Sequence, residues 1–146
     1  MTRFGYMLML CSIVATTGGV AADQLIEPGQ WKVTSSTVVN GAATPPQVKA
    51  RCLSPEQAED VARTFGPQSG TINSTCEPAQ YETNGRTLRW RLQCRGQLDM
   101  DVGGDFNFDS PQHYTATITS RGRMAGALVS DLKTELEADR IGECTQ

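Results

Sequence analysis

One histidine, His113, stands in 146 residues. That rules out most multi-histidine metal sites and leaves histidine-based catalysis a single candidate. Aromatic residues are scarce at 6%, so a stacking platform for single-stranded nucleic acid has little to be built from. A basic excess is missing: 13 Lys and Arg stand against 16 Asp and Glu, a net charge of -3, which argues against nucleic acid or another polyanion as partner. No Cys-x-x-Cys pair occurs, and with it go zinc ribbons and thioredoxin-type redox sites. No nucleophile–base–acid set, metal constellation or cofactor motif stands out. The expectation is a protein that is not an enzyme and carries no cofactor. Past residue 22 no apolar run approaches the ~20 residues of a membrane-spanning helix.

What is present begins with a targeting pattern. Arg3 precedes an apolar run, residues 4–15, and Val20-Ala21-Ala22 places small residues at the -3 and -1 positions of a cleavage site before Asp23. The run is short for a membrane span. Cys11 lies within it behind Leu10, where a lipoprotein signal wants a small residue, and is expected to leave with the signal. Residues 1–22 are thus read as a signal peptide and 23–146 as a single β-rich domain, periplasmic or secreted, with no stable membrane span after cleavage. The exported part keeps Cys52, Cys76, Cys94 and Cys144. In an oxidising compartment an even count reads as two disulfides.

The rest alternates with period two. Trp31, Val33, Ser35, Thr37 and Val39 share one parity until Asn40-Gly41 breaks the run. Val48, Ala50 and Cys52 alternate with Gln47, Lys49 and Arg51, and both segments read as half-buried strands. A short helix follows over residues 55–65: Ser54 caps it, Pro55 suits its first position, Gln57 completes a capping box, and Gly66-Pro67 stops it. Asn84-Gly85 signals a type I′ hairpin turn, and Leu88, Trp90, Leu92 and Cys94 alternate with Arg89, Arg91, Gln93 and Arg95 beyond it. A phase change at Pro78 implies a bulge or an edge. Leu98, Met100, Val102, Phe106 and Phe108 oppose Asp99, Asp101, Asp105, Asn107 and Asp109, with a bend expected at Gly103-Gly104. Matching inward positions pairs Cys94 with Leu98, Leu92 with Met100 and Trp90 with Val102, and sets Arg91 opposite Asp101. After a turn at residues 109–112, Tyr114, Ala116 and Ile118 point inward. Residues 125–138 fit both a helix stripe and a strand; a sheet edge in need of a partner favours strand. About seven antiparallel strands with one apolar face each describe a mainly β meander, closed into a small barrel or bent into a strongly curved half-barrel, with one short helix after the second strand.

Four features resemble a known family: the opening Gly29-Gln30-Trp31, the run Cys52-Leu53-Ser54-Pro55-Glu56-Gln57-Ala58, Asn84-Gly85 followed by Trp90 and Cys94, and the ending Arg140-Ile141-Gly142-Glu143-Cys144. Together they are similar to the bacterial exported family called domain of unknown function 3617. The resemblance implies a secreted or periplasmic β-rich domain, favours strand for the last segment, and supplies no catalytic residue.

Several residues offer chemistry. His113 lies near Asp109 and Ser110, but adjacency in a turn is not a triad. Asp105-x-Asn107-x-Asp109 resembles the start of a calcium loop, yet the glycine and glutamate such a loop needs are replaced by Ser110 and Ala116. A solvated face paired with Arg89 and Arg91 describes these carboxylates better. Arg86, Arg89, Arg91 and Arg95 could form a phosphate patch, but they face that acidic strand. Trp31, Trp90, Met100, Phe106, Phe108 and Tyr114 point inward, as a packed core first and as the lining of an apolar ligand cavity second. For the disulfides, Cys52–Cys76 would clip the helical excursion and Cys94–Cys144 would tie down the terminus. The rival Cys76–Cys94 needs the Pro78 bulge and would then lie on a diagonal. The functional expectation is a non-enzymatic, disulfide-stapled β-barrel module of the cell envelope that binds an apolar small molecule or a protein partner. The alternative is a structural or accessory envelope protein with no ligand.

Overall fold

The computed structural model describes residues 24–68 and 74–145. The signal segment with Cys11 lies outside the described residues, as does Ile72. Nine strands and two short helices follow in the order β1 (Gly29–Val39), β2 (Ala42–Ala43), β3 (Gln47–Leu53), α1 (Pro55–Glu59), α2 (Val61–Phe65), β4 (Ser74–Cys76), β5 (Gln80–Asn84), β6 (Thr87–Gly96), β7 (Asp99–Ser110), β8 (His113–Met124) and β9 (Ala127–Gly142). They form one antiparallel sheet in the order β2-β1-β9-β8-β7-β6-β4, with β3 also pairing β1 and β5 also pairing β6. The seven expected strands become nine because each margin is a broken strand: β2 and β3 at one side, β4 and β5 at the other.

Period two holds along the meander. In β6, Leu88, Trp90, Leu92 and Cys94 are buried while Arg89, Arg91, Gln93 and Arg95 are exposed. The last segment is a 16-residue strand, stabilised by pairing on both sides, to β8 and to β1. Its parity reverses near the start, where the register shifts beside Arg123, so Leu128 is 54% exposed instead of inward. Ala125 belongs to the turn before it, with φ 49° followed by Gly126 at 81°.

The margins decide the shape. β3 and β4 lie at opposite edges, so the connection carrying α1 and α2 has to cross the sheet. It crosses on the apolar face. Ser54 accepts from the Gln57 amide at 3.3 Å and its own amide donates to Gln57 Oε1 at 2.9 Å, which makes the expected capping box. The single helix of 55–65 is split at Asp60, whose Oδ1 accepts from the Arg63 amide and so starts a second helix. Ala58 and Phe65 are thereby buried. Arg51 of β3 stacks over the Phe65 ring at 5.3 Å, and Trp90 of β6 donates Nε1–H to the Phe65 carbonyl at 2.8 Å. In a flat sheet β3 and β6 would stand ~24 Å apart, at five strand spacings. One residue touches both, so the sheet is strongly curved. It is a half-barrel; β3 does not pair with β4 or β5, and the closed barrel is not formed. The helices stand between the margins and supply the cover that closure would have given.

Five expectations need correction. Val48, Ala50 and Cys52 point outward and are exposed, because Leu53, opposite Gly29, is the residue of β3 that reaches the core at 1% exposure. β6 and β7 pair two residues further on than inward matching suggested: Cys94 faces Met100, Leu92 faces Val102, and Trp90 faces Gly104. The glycines explain the slip. A Cβ at Gly104 would lie 2.4 Å from the Trp90 ring, and one at Gly103 would lie 2.9 Å from the Arg91 guanidinium. They are berths for two large side chains and not a bend. The Asn84-Gly85 turn has moved one residue: Asn84 pairs with Thr87, and the loop is Gly85-Arg86 with Gly85 at φ 55°. The disulfides are Cys52–Cys144 and Cys76–Cys94, not Cys52–Cys76 and Cys94–Cys144. The register change between β4 and β5 sets Cys76 directly opposite Cys94, where a diagonal had been expected, while β3 lies at the far margin beside the chain's end.

Candidate ligand cavity

The concave face divides into two zones. Beneath α1 and α2 it is a packed core. Trp31, Phe106, Phe108 and Tyr114 are 0–4% exposed, and Phe65 packs against the last three with ring centroids 5.2–5.5 Å apart. Polar atoms here are satisfied: Trp31 Nε1–H donates to the Glu27 carbonyl at 3.2 Å. Beyond the helices the inward side chains of β6 stay buried, with Trp90, Leu92 and Cys94 0–7% exposed, while Met100, Val102 and Ile118 are half-buried. A cavity of about 350 Å³ opens there against Phe65, Trp90, Leu92, Met100, Val102 and Ile118, with the Cys76–Cys94 bridge at its end.

Of the six inward residues considered as cavity lining, Trp90 and Met100 line this cavity. The other four belong to the packed core. Leu92, Val102 and Ile118 were legible as inward by parity but not as lining. Phe65 was legible only as part of a helix stripe; its place depends on where the connection crosses the sheet.

The outer face carries the charged candidates, and most engage one another. Arg89 and Arg91 both bind Asp105, at 2.5 and 3.1 Å. Burial pushes the Asp105 carboxyl up, but the two guanidinium groups outweigh it and hold it below its ordinary value. Arg95 binds Asp101 at 2.9 Å, with Arg123 on the other oxygen at 3.7 Å. Arg91 faces Gly103 and not Asp101. Arg86 donates to the Phe108 and Leu25 carbonyls at 2.5 and 2.9 Å, fastening the N-terminal segment. Among the described residues no group of three or more His, Cys, Asp or Glu side chains converges as a metal site.

His113 sits in an acidic nest. Its Nδ1 lies 2.7 Å from Asp109, and its Nε2 lies 3.6 Å from Glu137 and 3.9 Å from Asp139. The Asp109 hydrogen bond raises the imidazole pKa above its ordinary value, and the same bond lowers that of Asp109. Ser110 Oγ accepts from the Gln112 amide at 3.2 Å. It serves the turn and is not aligned on His113.

A family model covers residues 26–144, nearly the whole described chain. The chain belongs to DUF3617, a family of proteins of unknown function. No curated protein and no solved structure matches it. Among the described residues no helix is long and apolar enough to cross a membrane.

Proposed function

We propose that this protein is an exported module of the cell envelope that binds an apolar small molecule on its concave face and performs no catalysis. The apolar cavity in that face carries the reading: its walls include Phe65, Trp90, Leu92, Met100, Val102 and Ile118. Filling it would remove the remaining exposed apolar surface of half-buried Met100, Val102 and Ile118 from water, a gain in proportion to that area. The cavity volume of about 350 Å³ falls within the range of small-molecule sites. Trp90 is held rigid by its bond to the Phe65 carbonyl and by the Gly104 berth, a preformed wall. Two disulfides suit an oxidising compartment, and the signal pattern of residues 1–22 supports export. Native mass spectrometry of protein purified from its own envelope tests the reading. A co-purifying small mass, lost on organic extraction, is expected. Protein free of any such mass, which also leaves an apolar fluorescent probe unbound, would overturn it in favour of a structural accessory role.

A further inference from the structure

The apolar floor does not end at the cavity. Val33, Leu136, Ile118 and Val102 are partly buried side chains packed against the core, one each from β1, β9, β8 and β7. With Leu92 of β6 they form a strip across five strands, and its two ends differ. At the β6 end lie the cavity and the Cys76–Cys94 bridge. At the β1 end, Val33 pairs with Lys49 and Trp31 with Arg51, so two cations flank the strip from β3.

Contacts place Arg51 on the concave side. Its guanidinium lies over the Phe65 ring at 5.3 Å, and Nη2 donates to the Thr64 carbonyl at 3.4 Å. Phe65 also lines the cavity, so one residue lies between the charge and the apolar space. Lys49, two residues earlier on the same strand, shares that face. Arg51 also acts on Tyr114 beside Phe65: burial raises the Tyr114 hydroxyl pKa, and the Arg51 charge opposes it.

Charge pairing sets this corner apart. Among the described residues, Lys32, Arg89, Arg91, Arg95, Arg121, Arg123, Lys133 and Arg140 each meet a carboxylate. Arg86 is engaged on carbonyls. Lys49 and Arg51 meet no carboxylate among the described residues, nor does Arg63 in the adjoining α2. In a chain with net charge -3, unpaired positive charge gathered at one corner, beside the apolar strip, is a local feature and not a product of overall charge.

We propose that the occupant of this strip is an amphipathic anion: an extended apolar chain lying along it toward the cavity, with a carboxylate held by Arg51 and Lys49. This rests on the apolar-ligand reading above. Stacking on Phe65 orients the guanidinium before any ligand arrives, and with one donor spent on Thr64 the rest of the fork can take a carboxylate. From Lys49 to Leu92 the strip crosses five strand intervals and shifts by two residues at three of them, a path of ~34 Å, which suits an extended chain and not a compact ring.

The test titrates the full chain with dodecanoate, dodecanol and dodecyltrimethylammonium, each below its micelle concentration, and follows tryptophan emission. Dodecanoate is expected to bind about tenfold more tightly than either other probe, as one charge-assisted contact supplies. In Lys49→Gln/Arg51→Gln that ratio falls to about one. Arg89→Gln/Arg91→Gln, on the opposite face of the sheet, keeps it, and thermal unfolding shows whether each variant is folded. Equal binding of all three probes by the native chain overturns the anion site and leaves the apolar reading standing. Binding of none overturns both. Selectivity that survives in the folded double variant also overturns the assignment to these two residues.

Discussion

The two halves of the concave face are built from the same strands and the same inward parity, yet one is core and the other a candidate site. Phe106, Phe108 and Tyr114 lie under Phe65 and α1; Val102, Ile118 and Met100 lie a few residues further along the same strands, beyond that cover. Hydrophobic pattern alone does not separate a core from a binding surface. What separates them is whether a further element of the chain lies over them, and among the described residues α1 and α2 lie over one zone of the face.

Substitutions in the two halves sharpen the contrast. Trp31→Ala or Phe108→Ala in the covered half is expected to cost about 3–5 kcal/mol, with Ile118→Ala in the open half at ~1–2 kcal/mol, because a half-buried side chain has less transfer energy to lose. Urea titration reads both, and equal losses would mean that the open half is packed as core. The bridges contrast in the same way. Cys52–Cys144 spans 92 residues and Cys76–Cys94 spans 18. The chain-entropy model assigns the long bridge about 4–5 kcal/mol and the short one about 3 kcal/mol. Separate Cys→Ser pairs, compared by their unfolding midpoints, should rank in that order. Gly104→Ala should cost ~1–3 kcal/mol as an overpacking change, since the Trp90 ring has no free direction while Phe65 holds its Nε1. Restored stability in Gly104→Ala/Trp90→Phe would locate the clash.

Ala125→Gly should act in the opposite direction. A non-glycine residue at φ 49° carries roughly 1 kcal/mol of left-handed strain, so the variant's melting temperature should rise. The smallest expected effect is electrostatic. The raised His113 pKa means that its charged form stabilises the fold fully below the unfolded-state value and that this is lost as pH rises through the folded value. The lowered Asp109 pKa works from the acid side, its contribution lost as pH falls through the folded value. Stability contributed by the pair should peak between those limits and flatten in His113→Gln, as read from melting temperature against pH.

Much of this was legible residue by residue. The capping box at Ser54 and Gln57, the inward aromatics, the β6 alternation and the bulge near Pro78 are local, and each depends on neighbours within a few positions. Features that depend on residues far apart in the chain are not legible in this way. Parity is unchanged by a two-residue slip, so it could not choose between Trp90 facing Val102 and Trp90 facing Gly104; only the size of the indole against a glycine decides. The segment 47–53 shows alternation of apolar with charged residues, yet at a margin strand the apolar set can face outward when Leu53 and Arg51 are what the core and Phe65 require.

The sequence by itself determined that the chain is mainly antiparallel β with one short helical excursion, which aromatics point inward, and that four cysteines remain beyond the signal pattern, because period, capping and turn chemistry are short-range. The tertiary structure alone decided that β1 lies against β9, that the excursion therefore crosses the concave face, that the margins stay apart, and which cysteines meet. Those depend on the closing of long loops around one shared core, and the free energy that selects among such closures is summed over contacts between residues far apart in the chain.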